Sequence, residues 1–364
     1  MTSTGAPVPS TSPATMRRAV VSAGGIEVVE VAPPHPGVGE VLVHSVVVGV
    51  CGSDTHAAHG RHPFVSLPYH PGHEVVGLVI AVGEGVDSVA AGARVTVEPD
   101  LPCWRCKQCR RGAQNLCENL RFFGCGYEQG GMADLFTIPA DRLHVIPDGM
   151  DYRTAALIEP LSTPVHAVRL AGDVRGKAVV ILGAGTIGLL LLAVVRAHGA
   201  RRVVVTDPVP RKRALAAAHG ADVVLDASSG TVVGDARAAL GESADVVFDC
   251  VAVNATVAQA IAMADKAGTV VIVGVPAREV SIPLPIVQDH QIRIQGSATY
   301  LPEDYAESTE LLLGGAVDVD AIVTSVVPLP EVAVAFAQSG SGEHVKVLVA
   351  VDPAAFEPDR SSRR

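Results

Sequence analysis

The sequence predicts an α/β protein in two domains, one rich in strands and one built on a doubly wound parallel sheet. Three observations predict it. The chain has 364 residues, more than a single hydrophobic core usually supports. Its first third, about 16–147, carries short apolar runs such as Val41-Leu42-Val43 and Val75-Val76-Gly77-Leu78-Val79, broken by Gly and Pro, which is a strand pattern. Its middle alternates apolar strands at 178–182, 202–206, 223–225, 246–249 and 269–273 with helical stretches at 187–198 and 211–219, and that alternation implies a parallel sheet covered on both faces.

Composition narrows the function. Hydrophobic residues make up 48% and charged residues 18%, which supplies a large core and excludes disorder for the bulk of the chain. Acidic residues outnumber basic ones, 38 to 28, for a net charge of −10. A nucleic-acid partner is therefore disfavoured. Mean hydropathy is +0.35, and residues 178–195 form an 18-residue uncharged run, near the ~18 needed to span a bilayer. Gly183, Gly185 and Gly188 interrupt that run, with β-branched residues before them and leucines after. It reads as a buried strand, a tight turn and a buried helix, not as a membrane span.

From the N-terminus, residues 1–15 are Ser/Thr/Pro-rich and read as a disordered leader without a secretory signal. Glu27 and Glu30 interrupt what would be the apolar core of a twin-arginine signal after Arg17-Arg18, and Met16 is a candidate native start. After Thr299 the regular alternation stops, residues 345–351 read as one late strand, and 353–364 as a solvated tail. Seven cysteines in a chain this long, without a signal, point to reduced thiols and a cytoplasmic location rather than a disulfide framework.

Gly183-Ala184-Gly185-Thr186-Ile187-Gly188 fits G-x-G-x-x-G. Alone the match is weak. Here it follows an apolar strand, opens a helix, and precedes a second strand that ends at Asp207, 19 residues after Gly188. Gly183 permits the tight turn, Gly185 lets backbone approach a pyrophosphate, and Gly188 lets helix and strand pack closely. The helix N-terminus, from Thr186 and Ile187, offers free N–H groups and a positive dipole end to the phosphates. Asp207 accepts from ribose hydroxyls and repels a 2′-phosphate, which favours NAD. Arg211-Lys212-Arg213 just beyond is the counter-signal for NADP.

Cys103, Cys106, Cys109 and Cys117 form C-x2-C-x2-C-x7-C on a short polar loop. Four thiolates so spaced suit a closed, tetrahedral, structural zinc. An iron–sulfur cluster uses the same ligands. Cys125 and Cys250 are left over and read as small buried hydrophobes.

A second group is scattered. Cys51 lies in Gly49-Val50-Cys51-Gly52-Ser53-Asp54-Thr55-His56, His73 and Glu74 follow Pro71-Gly72, and Glu159 precedes Pro160. Each alone is ambiguous. Together with the cysteine quartet and the glycine motif, in this order from Met16 to about Val351, they resemble the zinc-dependent medium-chain dehydrogenases, in particular the sorbitol and butanediol dehydrogenase branch.

The resemblance implies a GroES-like β catalytic domain at 16–165 and 300–352, with a Rossmann NAD-binding domain at 166–299 between them. It implies two zinc ions per chain, one catalytic and one structural, NAD as cofactor, and a homo-oligomer, tetramer or dimer. It assigns Cys51 and His73 to the catalytic zinc, with Glu74 or Glu159 as the further protein ligand and a water or substrate completing the shell. Asp54 would fix the His73 tautomer. Zinc's Lewis acidity would ease ionisation of an alcohol, which then gives hydride to nicotinamide. Ser53 would take the proton and pass it, through the nicotinamide ribose, to His56.

The chain departs from the sorbitol type at one place. Tyr300 is kept, but Thr299 stands where an arginine commonly holds substrate hydroxyls. The resemblance then points to a smaller diol, a cyclitol or a modified sugar, with His59, Phe64, Thr299 and Tyr300 as the substrate-facing residues. Two other readings remain at this point. A non-catalytic or redox-sensing protein has no need of an open site and relay. A zinc-independent NADP-linked quinone or enone reductase predicts missing ligands and no quartet, and both are present. The sequence reading is a NAD-dependent dehydrogenase of a secondary alcohol or polyol.

Overall fold

In the computed structural model, residues 14–60, 62 and 65–356 are described. The leader through residue 13, Phe64 and the tail from 357 lie outside them. The chain divides into two compact units, Met1–Glu159 with Val319–Arg364, and Pro160–Asp318.

In the first unit, Met16–Ser22 and Gly25–Val31 form an antiparallel hairpin. A seven-stranded sheet runs in the order Val323–Pro328, Lys346–Ala350, Glu40–Val50, Glu74–Val82, Arg94–Val97 and Leu143–Val145, with Leu135–Pro139 also paired to Glu40–Val50. The two C-terminal strands thus complete a sheet begun near the N-terminus. Register fixes what matters for the site: Gly49 lies opposite both Leu348 and Glu74, and Val50 opposite Val347. The core beneath is valine-rich, with Tyr69, Phe123, Met132 and Phe136 among its larger members. β-branched side chains on a pleated, half-covered surface explain why this segment chooses strands.

Pro353–Phe356, which the sequence reading places in a solvated tail, forms a short helix with Phe356 buried. The reason is local. Asp352 Oδ1 accepts from the N–H groups of Ala354 and Ala355, both at 3.1 Å, and starts the turn.

The second unit holds six parallel strands in the order Val223–Leu225, Arg202–Thr206, Ala178–Leu182, Ala244–Asp249, Ala264–Ile272 and Arg293–Gly296. Strand order therefore reverses between Ala178–Leu182 and Ala244–Asp249, the switch point at which such sheets bind ligands. Ala178–Leu182 is buried throughout. The 178–195 run divides as its glycines imply, into that strand, a turn at Gly183–Gly185 and the helix Thr186–Ala197. Among the described residues no helix is long and apolar enough to cross a membrane.

The crossing back to the first unit comes after Asp318, later than residue 300. Side-chain pairing accounts for this. Asp304, on Pro302–Leu313, is held by His166 Nδ1 and Arg169 Nε of Ile158–Ala171, both at 2.8 Å, which ties that late helix into the second unit.

Candidate active site

Cys51 leaves the end of Glu40–Val50 and sits at the N-cap of the short helix Gly52–Ala58. Its N–H donates to Asp54 Oδ2 at 3.1 Å, which fixes the turn. His73 and Glu74 enter at the start of Glu74–Val82, after Gly72 at φ +109. A Cβ on Gly72 would stand 2.5 Å from the Met132 nitrogen, so glycine alone permits this approach. One ligand atom each from Cys51, His73 and Glu74 lies within 4.8 Å of the others. Glu159 is buried at the N-terminus of Ile158–Ala171, outside that triplet but close enough to act electrostatically on His73.

The site is buried and negatively biased. Burial opposes a charge on His73, yet the Asp54 carboxylate, a hydrogen bond with Cys51 and the Cys51 and Glu159 charges outweigh it and raise its pKa. Asp54 itself is pushed up to about 6, chiefly by burial, with His73 pulling the other way. Asp54 Oδ2 stands 3.9 Å from His73 Nδ1, in ion-pair rather than hydrogen-bond range. His73 Nδ1 is buried without a hydrogen-bond partner.

Ser53 is half-buried and His56 exposed, three residues apart on one helix and so on neighbouring faces of it. His59 is exposed, and its Nδ1 makes a 2.7 Å contact with the Thr55 carbonyl of its own helix. Tyr300 belongs to the second unit, where it is buried and packs edge-on against Tyr305 at 5.2 Å. Thr299 beside it adopts φ +46.

The cysteine quartet gathers on its loop with all four sulfurs within 4.8 Å, three of the residues buried and Cys103 half-buried. Backbone N–H groups face the sulfurs, from Cys103 and Asn119 to Cys117 at 3.2 and 3.3 Å and from Cys109 to Cys106 at 3.5 Å. Such donors stabilise thiolate. They bring Cys103 down to about 6, the largest share from the Arg105 N–H, and also lower Cys106. Burial instead pushes Cys109 up to about 12, a cost that a bound cation reverses. Trp104, at φ +57 between two of the cysteines, has the Arg142 guanidinium over its ring at 4.9 Å.

In the second unit the glycine motif has the expected constraints. Gly183 adopts φ +96, and a Cβ on Gly188 would stand 1.9 Å from the Gly183 carbonyl oxygen. A Cβ on Gly185 would meet nothing within 4 Å, which leaves the backbone open to a ligand. Asp207 is buried and accepts from Ala184 N–H at 2.9 Å and Val209 N–H at 2.8 Å. Arg213 turns back onto the Asp207 and Pro208 carbonyls, while Lys212 is half-exposed.

Comparison with known proteins decides the family. Residues 37–148 match the alcohol dehydrogenase GroES-like domain and residues 186–314 the zinc-binding dehydrogenase family. D-xylulose reductase A of Aspergillus oryzae is 32% identical over 319 residues, 85% of this chain and 89% of that protein. The chain belongs to the zinc-binding medium-chain dehydrogenases. Among solved structures, 2R,3R-butanediol dehydrogenase from Bacillus subtilis superposes with a TM-score of 0.85 at 27% identity, covering 92% of this chain and 99% of that one. A chain from Sinorhizobium meliloti 1021, described as a zinc-binding dehydrogenase and bound to NADP, gives 0.86 at 34% identity, with 93% and 100% covered.

The donor sets fit the metal that this dehydrogenase family is named for. A thiol, an imidazole and a carboxylate in one cluster suit an open zinc site, and four thiols a closed one. One residue of the open site escaped the sequence reading. Lys346, buried at the start of its strand, places Nζ 2.6 and 2.7 Å from the two Glu74 carboxylate oxygens. The signal was a single charge inside the apolar run Val345-Lys346-Val347-Leu348-Val349.

Proposed function

We propose that this dehydrogenase oxidises a secondary alcohol or polyol to the ketone with NAD, using one catalytic and one structural zinc. The observation that carries the reading is the Cys51–His73–Glu74 triplet, with His73 and Glu74 buried and Cys51 half-buried, in a chain that also holds a complete cysteine quartet. A zinc-independent reductase needs neither.

Cys51 and His73 would hold the catalytic zinc with Glu74 or Glu159, and Cys103, Cys106, Cys109 and Cys117 the structural one. When bound, the catalytic zinc acts as a Lewis acid that eases loss of the substrate's hydroxyl proton. Ser53 would accept that proton at Oγ while releasing its own hydroxyl proton outward, and His56 would pass the relayed proton to solvent. Asp54 faces His73 Nδ1 at 3.9 Å and acts on the ring by its charge rather than by a hydrogen bond. Gly183, Gly185, Thr186, Ile187 and Gly188 cradle the pyrophosphate, and Asp207 takes the adenosine ribose hydroxyls. With both carboxylate oxygens already anchored by backbone N–H groups, Asp207 cannot swing away from a 2′-phosphate, which supports NAD. Lys212, with Arg211 and Arg213, is the specific observation favouring NADP, as is the NADP-bound relative.

The proposed substrate class is supported by relatives named as a D-xylulose reductase and a 2R,3R-butanediol dehydrogenase. Thr299 in place of an arginine directs it toward a smaller diol, a cyclitol or a modified sugar rather than sorbitol. Formation of NADH by purified protein is measured across acyclic polyols, cyclitols, diols and simple secondary alcohols, with NADP in parallel. Turnover with NAD on one group is the expected result; a strict preference for NADP overturns the cofactor assignment.

A further inference from the structure

The Glu74 carboxylate is enclosed by Gly49 and Lys346. Gly49 sits against it so closely that a Cβ there would lie 1.8 Å from Glu74 Oε2. Lys346 Nζ reaches both carboxylate oxygens and, as a third acceptor, the Val50 carbonyl at 3.2 Å. The lysine is 3% exposed and Glu74 2%. Cys51 and Glu159 also act on it electrostatically. Lys346 is thus a buried cation held on the Glu74 carboxylate, with Cys51 and Glu159 near enough to act on it.

Stability does not explain this arrangement. A buried ion pair roughly breaks even against a hydrophobic pair of similar volume, and the neighbouring strand positions Val347, Leu348 and Val349 are apolar. An apolar pair would serve the sheet equally well. What the lysine changes is charge. A zinc ion facing Cys51 thiolate, Glu74 and Glu159 would meet three negative charges, and an over-neutralised zinc is a poor Lewis acid.

We propose that Lys346 is a positioning residue of the catalytic metal site, which holds the Glu74 carboxylate against Gly49 and offsets one ligand charge. This keeps a coordination position open for the alcohol. The inference rests on the metal-binding reading of Cys51, His73 and Glu74 and deepens it. It also sets a direction. Lys346 weakens metal binding in exchange for an open, electron-poor ion, so its loss tightens binding; a lysine that only props Glu74 in place would do the opposite.

The test uses the full chain, stripped of metal, reconstituted at the quartet with one zinc, then titrated with Co2+ in competition with a chelator. Wild type must bind Co2+ at this site, and Cys51→Ser must abolish it; without that the metal reading itself fails. Given that, K346M is expected to bind Co2+ more tightly by about tenfold or more, since a unit charge beside a divalent ion is removed. Its visible Co2+ absorption should also shift as Glu74 closes onto the ion. K346R should restore both to wild type. Unchanged or weakened binding, with an unchanged spectrum, overturns the proposal. A second comparison covers a K346M chain that does not fold. E74Q leaves the lysine unopposed and should lose Co2+ affinity, and E74Q/K346M should regain about tenfold over E74Q. A double variant no tighter than E74Q overturns the proposal as well.

Discussion

Ser53 is half-buried on the helix that begins next to Cys51, and the proposed proton relay begins at its hydroxyl. Ser53→Ala is expected to lower kcat on the order of 10²-fold, the usual worth of a placed acid–base group, while NAD binding stays intact. Unaltered kcat removes Ser53 from the relay. Gly49 gives a second handle at this scale. Gly49→Ala must displace the Glu74 carboxylate, because the new methyl would fall 1.8 Å from its oxygen. Metal content at the open site and turnover should drop together, and a fully metallated, fully active G49A would show that Glu74 is not needed where it stands. The donor clusters were legible from the sequence at this scale. Cys51, His73-Glu74 and the quartet lie in short strings that folding brings together as two candidate metal-binding groups. Lys346 was not legible, because it lies 272 residues from Glu74 and meets it only through the register of three strands.

At the scale of elements, the quartet's loop carries its own reporter. Trp104 is the chain's single tryptophan, and it stands between Cys103 and Cys106. Its emission should change when the closed site loses metal to a strong chelator, together with a fall in melting temperature. Cys103→Ser should show both effects before any loss of chemistry at the other site, and an unaltered melting temperature would argue against a structural metal there. The strand–turn–helix at Ala178–Leu182 and Thr186–Ala197 makes a parallel prediction. Asp207→Ala should weaken NAD binding by about tenfold, the worth of hydrogen bonds to a charged group, and narrow the preference over NADP. An unchanged NAD KM would remove Asp207 from the ribose. These elements were readable because buried parallel strands are near-continuous apolar runs and the glycines mark the turn. The late helix Pro302–Leu313 was harder to place. Its membership of the second unit depends on Asp304 reaching His166 and Arg169, more than 130 residues earlier in the chain.

At the scale of the whole molecule, the chain distributes its chemistry. Both candidate metal-binding clusters belong to the unit made from both ends of the sequence, and the glycine motif to the unit inserted between them. The alternating middle was legible from the change of pattern along the chain, and its insertion between the two ends was expected from the family resemblance; the return point and the helical start of the C-terminal tail were not legible, since both turn on single acidic side chains that cap or clamp a helix. In the proposed enzyme one of the two metals would do the chemistry and the other would hold the fold. This division of labour is tested most directly by counting zinc per chain and assaying NADH formation in wild type and Cys51→Ser. The account predicts two zinc ions and turnover in the first, and one zinc ion, an unchanged melting temperature and no turnover in the second. Turnover that survives in Cys51→Ser at one zinc ion per chain would contradict it.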